Sequence, residues 1–392
     1  MSNRSEVFLL SVLSFLCVAT SAFGADPQTS FRPGELWLDV NGVHINAHGA
    51  GLLSFDGRYW LFGEHKVEGE RGNSAQVGVH CYSSTDLYNW RDEGIALAVS
   101  DDPDSPIARG CILERPKVVY NEKTKKFVMW FHLESAGSGY RDAKSGVAVA
   151  DSVAGPYTFL YAERPNIGDW PYDVAEEDKK ELSTEEREQV EEMFRSGKIQ
   201  TGFSPEYPTN VIYRYDFQRG QDARDMTIFK DDDGKAYHIY SSESNGTLHI
   251  APLSDDYLRH EGEYARAFSG RYFEAAAIFK RDGKYWLFAS GCTGWAPNAA
   301  RLAVAENIMG PWKELKNPCR GTKEQVETTF ESQSAYVLND VEKGVCIFVA
   351  DRWRPKNAID GRYVWLPILF DEDGTPYLEW KDEWRWEDYA RR

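Results

Sequence analysis

Residues 227–240 read Thr227-Ile228-Phe229-Lys230-Asp231-Asp232-Asp233-Gly234-Lys235-Ala236-Tyr237-His238-Ile239-Tyr240. An apolar run enters, an acidic turn ending in glycine follows, and an alternating aromatic-rich run leaves, which is the signature of a β-hairpin. The phrase returns at Ala277-Ile278-Phe279-Lys280-Arg281-Asp282-Gly283-Lys284-Tyr285-Trp286-Leu287-Phe288, and Tyr237 and Tyr285 are 48 residues apart. Upstream copies are Leu52-Leu53-Ser54-Phe55-Asp56-Gly57-Arg58-Tyr59-Trp60-Leu61-Phe62 and Val118-Val119-Tyr120-Asn121 leading to Phe127-Val128-Met129-Trp130-Phe131. A last copy runs from Tyr336-Val337-Leu338-Asn339-Asp340 to Val345-Cys346-Ile347-Phe348-Val349. Asp-Gly between alternating runs is a strong hairpin signal, because both turn residues need positive φ.

Each phrase is followed by a second hairpin half: Gly78–Ser84, Gly146–Ser152, Thr247–Ala251, Arg301–Ala305 and Arg362–Pro367. Two of these run into Gly-Pro-aromatic, at Gly155-Pro156-Tyr157 and Gly310-Pro311-Trp312. Four strands per unit, repeated five times, predict an all-β chain folded as a five-bladed β-propeller. A β-sandwich would alternate too, but would not repeat a four-strand unit. The regularity breaks between the second and third units, over 161–224, where Ser183 and Glu186 make a capping-box pattern ahead of Glu185–Phe194. A largely solvated helical insertion is expected there, placed to shape the rim of a pocket.

Lys and Arg total 45 and Asp and Glu total 62 in the 392 residues, a net charge of −17. So acidic a chain is a poor partner for nucleic acid or for anionic lipid. Hydrophobic residues at 42% and charged residues at 27% exclude both a disordered chain and an integral membrane protein. Aromatic residues make up 14%. That suits a β-rich core first, and ring stacking on sugars second.

Arg4 ahead of the apolar run Val7–Ala22, with small residues through Ser21-Ala22-Phe23-Gly24, reads as an export signal over 1–24 cleaved after Gly24. The run is short for a membrane span and polar residues follow it at once. The expected mature chain is one domain over 25–392, in the periplasm or outside the cell. Loss of Cys17 leaves Cys81, Cys111, Cys292, Cys319 and Cys346, without metal-ligand spacing. Cys292–Cys319 is the preferred bridge; the alternative is that all five are small buried hydrophobes.

The stretches Arg224–Tyr237 and Phe273-Glu274-Ala275-Ala276-Ala277-Ile278-Phe279 resemble glycoside hydrolase family 43. So do Ile45–Gly51, Glu114-Arg115-Pro116, Thr293–Asn298 and Phe330-Glu331-Ser332-Gln333-Ser334. The combination is most similar to the branch holding the exo-β-1,3-galactanases. The resemblance implies a pocket at the propeller axis and hydrolysis with inversion. Inversion needs one protonated carboxyl and one group that activates water, with carboxyls typically about 6.5–9.5 Å apart.

By resemblance Glu274 matches the general acid, and its apolar flanks Phe273 and Ala275–Ala277 would keep it protonated. Asp225 matches the carboxylate that orients and tunes that acid. Where most family members carry an Asp base in the first blade, this chain has Asn46-Ala47-His48-Gly49. Gln333 matches a glutamine implicated in placing water, although an amide barely accepts a proton. Glu114 is the carboxylate left, and base catalysis and sugar-hydroxyl binding stay open for it. His48 and Asn46 are candidate substrate contacts, and Trp295 and Tyr272 candidate sugar platforms.

The expected activity is removal of terminal β-linked galactose from an oligo- or polysaccharide. α-L-arabinofuranosidase, β-xylosidase or β-galactofuranosidase activity are alternatives, and a carbohydrate-binding propeller without catalysis is the reading from another class. No cofactor is expected. Some family members hold an axial calcium, but Asp231-Asp232-Asp233-Gly234 sits as a hairpin turn and no loop has calcium-ligand spacing.

Overall fold

Asp56-Gly57 and Asp282-Gly283 turn as their sequences predict, with φ of 51° and 68° at the first pair and 51° and 76° at the second. A computed structural model describes residues 26–199 and 210–390. The expected export signal and Cys17 lie outside the described residues.

The first sheet orders β1 (His48–Phe55), β2 (Arg58–Glu64), β3 (Gly78–Ser84) and β4 (Arg91–Ala98), and the second β5 (Ile112–Asn121), β6 (Lys126–Glu134), β7 (Lys144–Ala150) and β8 (Thr158–Glu163). The insertion follows, with α1 (Thr184–Arg195) and α2 (Ile212–Tyr215). Ser183 and Glu186 form the expected reciprocal cap on α1. Val190 of α1 is buried with Leu182, Ile199 and Ile212 in a small cluster of the insertion's own. The third sheet holds β9 (Met226–Lys230), β10 (Ala236–Ser242), β11 (Thr247–Pro252) and β12 (Ala265–Ala267), and the fourth β13 (Glu274–Arg281), β14 (Lys284–Ser290), β15 (Arg301–Ala305) and β16 (Lys313–Glu314). After β17 (Cys319–Arg320) and the short helix α3 (Lys323–Glu327), β18 (Gln333–Asp340), β19 (Val345–Arg352) and β20 (Arg362–Pro367) make a three-stranded sheet.

Among the described residues the sheets number six, and the expected five-bladed propeller is corrected to six blades. The sixth joins β17 to β22 (Pro376–Glu379) in parallel and β22 to β21 (Leu369–Phe370). Its strands are two to four residues long and flank the fifth repeat on both sides, so no local alternation announces it. Parallel pairing of distant segments leaves no hairpin signature.

Alternate residues of the inner strands feed different cores, because successive side chains leave a strand on opposite faces. Val118 packs between the first and second sheets, and Val119 between the second and third. Ile278 faces the third sheet, and Phe279 faces β18–β20. The ring closes through the termini: Phe31 bridges Trp384, and Phe31, Trp37, Trp90, Trp365 and Trp384 form one aromatic cluster. Much of the aromatic excess is therefore core. The preferred Cys292–Cys319 bridge is also corrected, because all five cysteines of the described residues are free. Cys319 is buried in the core beside β22, whereas Cys292 lies two residues past β14 and lines a cavity.

Candidate active site

The innermost strands β1, β5, β9, β13 and β18 neighbour one another around the axis. Four of them carry a register shift at the same end: His48/Gly51, Glu114/Lys117, Glu274/Ala277 and Ser334/Tyr336. A β-bulge bends its strand and re-aims a side chain, which is how residues far apart in sequence converge here. Positive φ marks the bulges at Gly49 (57°), Arg115 (53°) and Ala275 (56°). At Gly49 a Cβ would stand 2.2 Å from Glu64 Oε1, so a side chain there would displace that carboxylate.

The bulges open on a cavity of about 200 Å³ lined by Glu64, Glu114, Arg115, Tyr140, Arg224, Asp225, Asn245, Glu274, Cys292, Gly294, Trp295, Gln333 and Trp353. A larger cavity of about 740 Å³ lies at the other end of the same strands. Its charged groups are paired, Lys230 with Glu122 and Lys280 with Asp232, so the convergent carboxyls mark the smaller one as the chemical centre.

Five of the eight candidates meet in the smaller cavity: Glu274, Asp225, Gln333, Glu114 and Trp295. Three do not line it. His48 is fully buried, with Nδ1 3.2 Å from Asp351 Oδ1 and its ring stacked on Tyr363. Asn46 is buried and exchanges hydrogen bonds with the backbone of Lys66. Tyr272 is 3% exposed and offers no platform in the cavity. Of the described residues of the insertion over 161–224, Arg224, at its end beside Asp225, lines the cavity.

Glu274 sits among weak donors. Oε1 lies 3.3 Å from Asn245 Nδ2 and 3.4 Å from Cys292 Sγ, and Oε2 lies 3.4 Å from Gln333 Nε2. Burial, then the negative charge of Asp225, pushes its carboxyl up to about 8, against Arg115 and the Cys292 hydrogen bond. Such a group holds its proton at neutral pH, as a general acid must. Arg115 Nη2 binds Asp225 Oδ2 at 2.9 Å and Gln333 Oε1 at 2.7 Å. Trp353 Nε1 donates to the same Gln333 oxygen at 2.9 Å, and Gln333 Nε2 donates to Ser290 Oγ at 3.0 Å.

Glu114 is the opposite case. Its Oε1 accepts from Tyr140 at 2.7 Å and Asn73 at 2.9 Å, and its Oε2 from His132 Nδ1 at 3.0 Å. Burial would raise this carboxyl, but the hydrogen bond and charge of His132, with Lys66 and Tyr140, hold it well below the usual carboxylate range. His132 also binds Glu134 Oε1 at 2.9 Å, and these two carboxylates overcome burial to lift the imidazole to about 9.

Sequence reasoning missed Glu64, Arg115, Tyr140, Asn245, Cys292 and Trp353 as cavity residues. Arg115 stands inside the quoted Glu114-Arg115-Pro116 motif and could have been found there. Glu64 closes the aromatic strand of the first phrase; its Oε1 accepts the Arg115 backbone N–H at 2.9 Å, and Lys66 is its ion-pair partner. Burial raises the Glu64 carboxyl above its ordinary value, against the charge of Lys66.

The carbonyls of Gly49 and Arg115 face Lys117 Nζ at 2.9 and 3.2 Å. These oxygens do not fit a calcium ion, because the Lys117 amine already takes them, in either protonation state: burial, then the charge of Arg115, lowers it to about 7. Among the described residues no group of three or more His, Cys, Asp or Glu is arranged to hold a metal.

The family model for glycosyl hydrolases family 43 matches residues 208–376. A family 43 β-1,3-galactosidase solved with galactodeoxynojirimycin is 49% identical, with a TM-score of 0.82 over 91% of this chain and 100% of that one. The chain belongs to glycoside hydrolase family 43. A second family 43 β-1,3-galactosidase is 34% identical, with a TM-score of 0.73 over 91% of this chain and 64% of the other. The exo-β-1,3-galactanase of Phanerochaete chrysosporium with β-1,3-galactotriose is 29% identical, with a TM-score of 0.71 over 91% of this chain and 68% of that one. No curated protein matches. As a family 43 member the protein is a glycosidase, and its substrate is an oligo- or polysaccharide. No helix among the described residues is long and apolar enough to cross a membrane.

Proposed function

We propose that this family 43 glycosidase is an exported, exo-acting β-1,3-galactosidase that cleaves with inversion. The observation that carries the catalytic half is Glu274, a partly buried carboxyl in a small cavity, pushed up to about 8 by desolvation and by the charge of Asp225. Galactose as the sugar is supported by the likeness to proteins described as β-1,3-galactosidases. Export is supported by the sequence of residues 1–24.

In this reading Glu274 protonates the departing oxygen, and Asp225, paired with Arg115, keeps that acid's proton on at working pH. Glu114 holds sugar hydroxyls. A carboxylate held as low as Glu114 is a weak base, so it serves better as a hydrogen-bond acceptor than as a proton acceptor. Gln333 positions the attacking water. Its amide is fixed by Arg115, Trp353, Glu274 and Ser290, and fixed orientation is what a neutral positioning group can supply. Trp295, 40% exposed and edge-on to Trp353 at 5.4 Å, offers the cavity an apolar wall for a sugar face.

The test is early digestion of β-1,3-galactan followed by NMR. Free galactose with the α-anomer appearing first is expected. A ladder of longer oligosaccharides would refute exo action, and the β-anomer appearing first would refute inversion. Gln333→Ala should damage turnover more than Glu114→Gln, which should act chiefly on KM. The reverse order, with azide restoring the Glu114 variant, would transfer water activation to Glu114.

A further inference from the structure

The thiol of Cys292 lies in the cavity and no step above uses it. It lies two residues past β14, whose last residue, Ser290, pairs with Glu274 across the strands. Sγ stands 3.4 Å from Glu274 Oε1, and Asn245 Nδ2 reaches both that oxygen at 3.3 Å and Sγ at 3.5 Å. Asn245 ends a run of three left-handed residues, Glu243, Ser244 and Asn245, with φ of 53°, 59° and 66°. Strained backbone persists where its surroundings hold it. Here Glu243 is tied to His249 Nε2 at 2.8 Å and Arg266 Nη2 at 2.9 Å, and the Ser244 N–H to Asp222 at 3.1 Å. Two donors thus meet at Oε1, while one, Gln333 Nε2 at 3.4 Å, faces Oε2.

We propose that Cys292 is a positioning residue: with Asn245 it holds Oε1 of Glu274 as an acceptor, which leaves Oε2 as the oxygen that hands its proton to the leaving group. The proposal rests on Glu274 being the general acid. Chemistry favours a thiol here. Burial, then the charge of Glu274, pushes the Cys292 thiol up to about 12, so it stays a neutral S–H and neither attacks nor repels. A thiol is a weak donor. A hydroxyl in its place would hydrogen-bond the ionised carboxylate more strongly and so favour loss of the proton that catalysis needs. Asp225, Arg115 and Glu114 act on the same carboxyl, and Glu64, Tyr140 and Arg224 share the cavity. All six are unchanged in the test.

Cys292→Ser and Cys292→Ala are compared with the parent in two assays. One is the pH dependence of kcat/KM on β-1,3-galactobiose. The other needs no substrate: carboxyl 13C NMR of glutamate-labelled protein, with Glu274→Gln identifying the resonance. The serine variant should lower the Glu274 midpoint and the alkaline limb together by about one pH unit, and the alanine variant should shift them the other way. Melting temperatures should hold, since neither change removes a buried apolar contact of any size. Superimposable midpoints in all three proteins would overturn the proposal. If no galactoside is cleaved, the galactosidase reading falls. The NMR midpoint then decides the Cys292 contact by itself: a shift supports it, and no shift overturns it.

Discussion

Asp225→Asn should convert a broad pH profile into a narrow acidic one. The negative charge of Asp225 is the largest influence after burial that keeps the Glu274 proton on. Its removal also frees the Arg115 guanidinium, whose Nη2 lies 2.9 Å from Asp225 Oδ2 and which already pulls Glu274 down. At an effective dielectric of about 20, a unit charge at the outer end of the ~4–6 Å range over which carboxylates shift one another is worth ~3 kcal/mol, or about two pH units. With the Glu274 midpoint near 8, about nine-tenths of the enzyme carries the acid's proton at pH 7; after a two-unit fall about one-tenth does. The expected result is a roughly tenfold loss of kcat/KM at pH 7 and little loss from this cause at pH 5. The alkaline limb should move down by about two units. Profiles on β-1,3-galactobiose from pH 4 to 9 measure it. A loss of equal size at every pH, with the limb unmoved, would mean that Asp225 only binds sugar.

Glu274→Gln should slow cleavage of poor leaving groups by about 10²–10⁴-fold and spare activated aryl galactosides, so equal losses on both would remove it as proton donor. The same change should flatten stability against pH. A carboxyl raised to about 8 when folded contributes stability that is full below its unfolded value and is lost as pH rises through 8, so the variant should lose less stability than the parent between pH 5 and 8 in urea titrations. His132→Leu leaves Glu114 and Glu134 buried without their shared partner and should cost about 3–5 kcal/mol by chemical denaturation; an unchanged midpoint would mean that water replaces the ring. Trp295→Ala should raise KM several-fold with kcat nearly unchanged; an unaltered KM would place the sugar elsewhere.

The hairpins were legible because turn chemistry and strand alternation agree: Asp56-Gly57 and Asp282-Gly283 need positive φ, and the flanking runs alternate. The blade count was not, because β17, β21 and β22 are too short to alternate, and β17 reaches β22 only in the fold, where Cys319 pairs with Leu378. The same division holds in the site. Glu114, Asp225, Glu274 and Gln333 stand at the entry of inner strands, where a repeated phrase points to them. Asn245 lies in a β10–β11 turn, Tyr140 in the connection after β6, and Trp353 just past β19. Those stretches carry no periodicity, so only the closed ring brings them to the cavity.

The first blade shows why strand position misleads. His48 occupies in β1 the bulge position that Glu114 and Glu274 occupy in β5 and β13, so on sequence it should have faced the cavity. Across the ladder His48 pairs with Glu64, and Glu114 pairs with His132. The two blades therefore hold the same pair of residue types with the strands exchanged. Opposed residues in an antiparallel pair sit side by side, so either strand can deliver a side chain to nearly the same place. In the second blade the inner strand supplies the cavity's carboxylate and the histidine backs it. In the first, β2 supplies Glu64, while His48 turns away against Tyr363 and Asp351. The first blade thus also lends the cavity wall a carboxylate, Glu64, sixteen residues downstream of His48. Its Lys66 partner and the Arg115 backbone N–H hold it there. A motif read along one strand cannot register such an exchange; a cross-strand pair can.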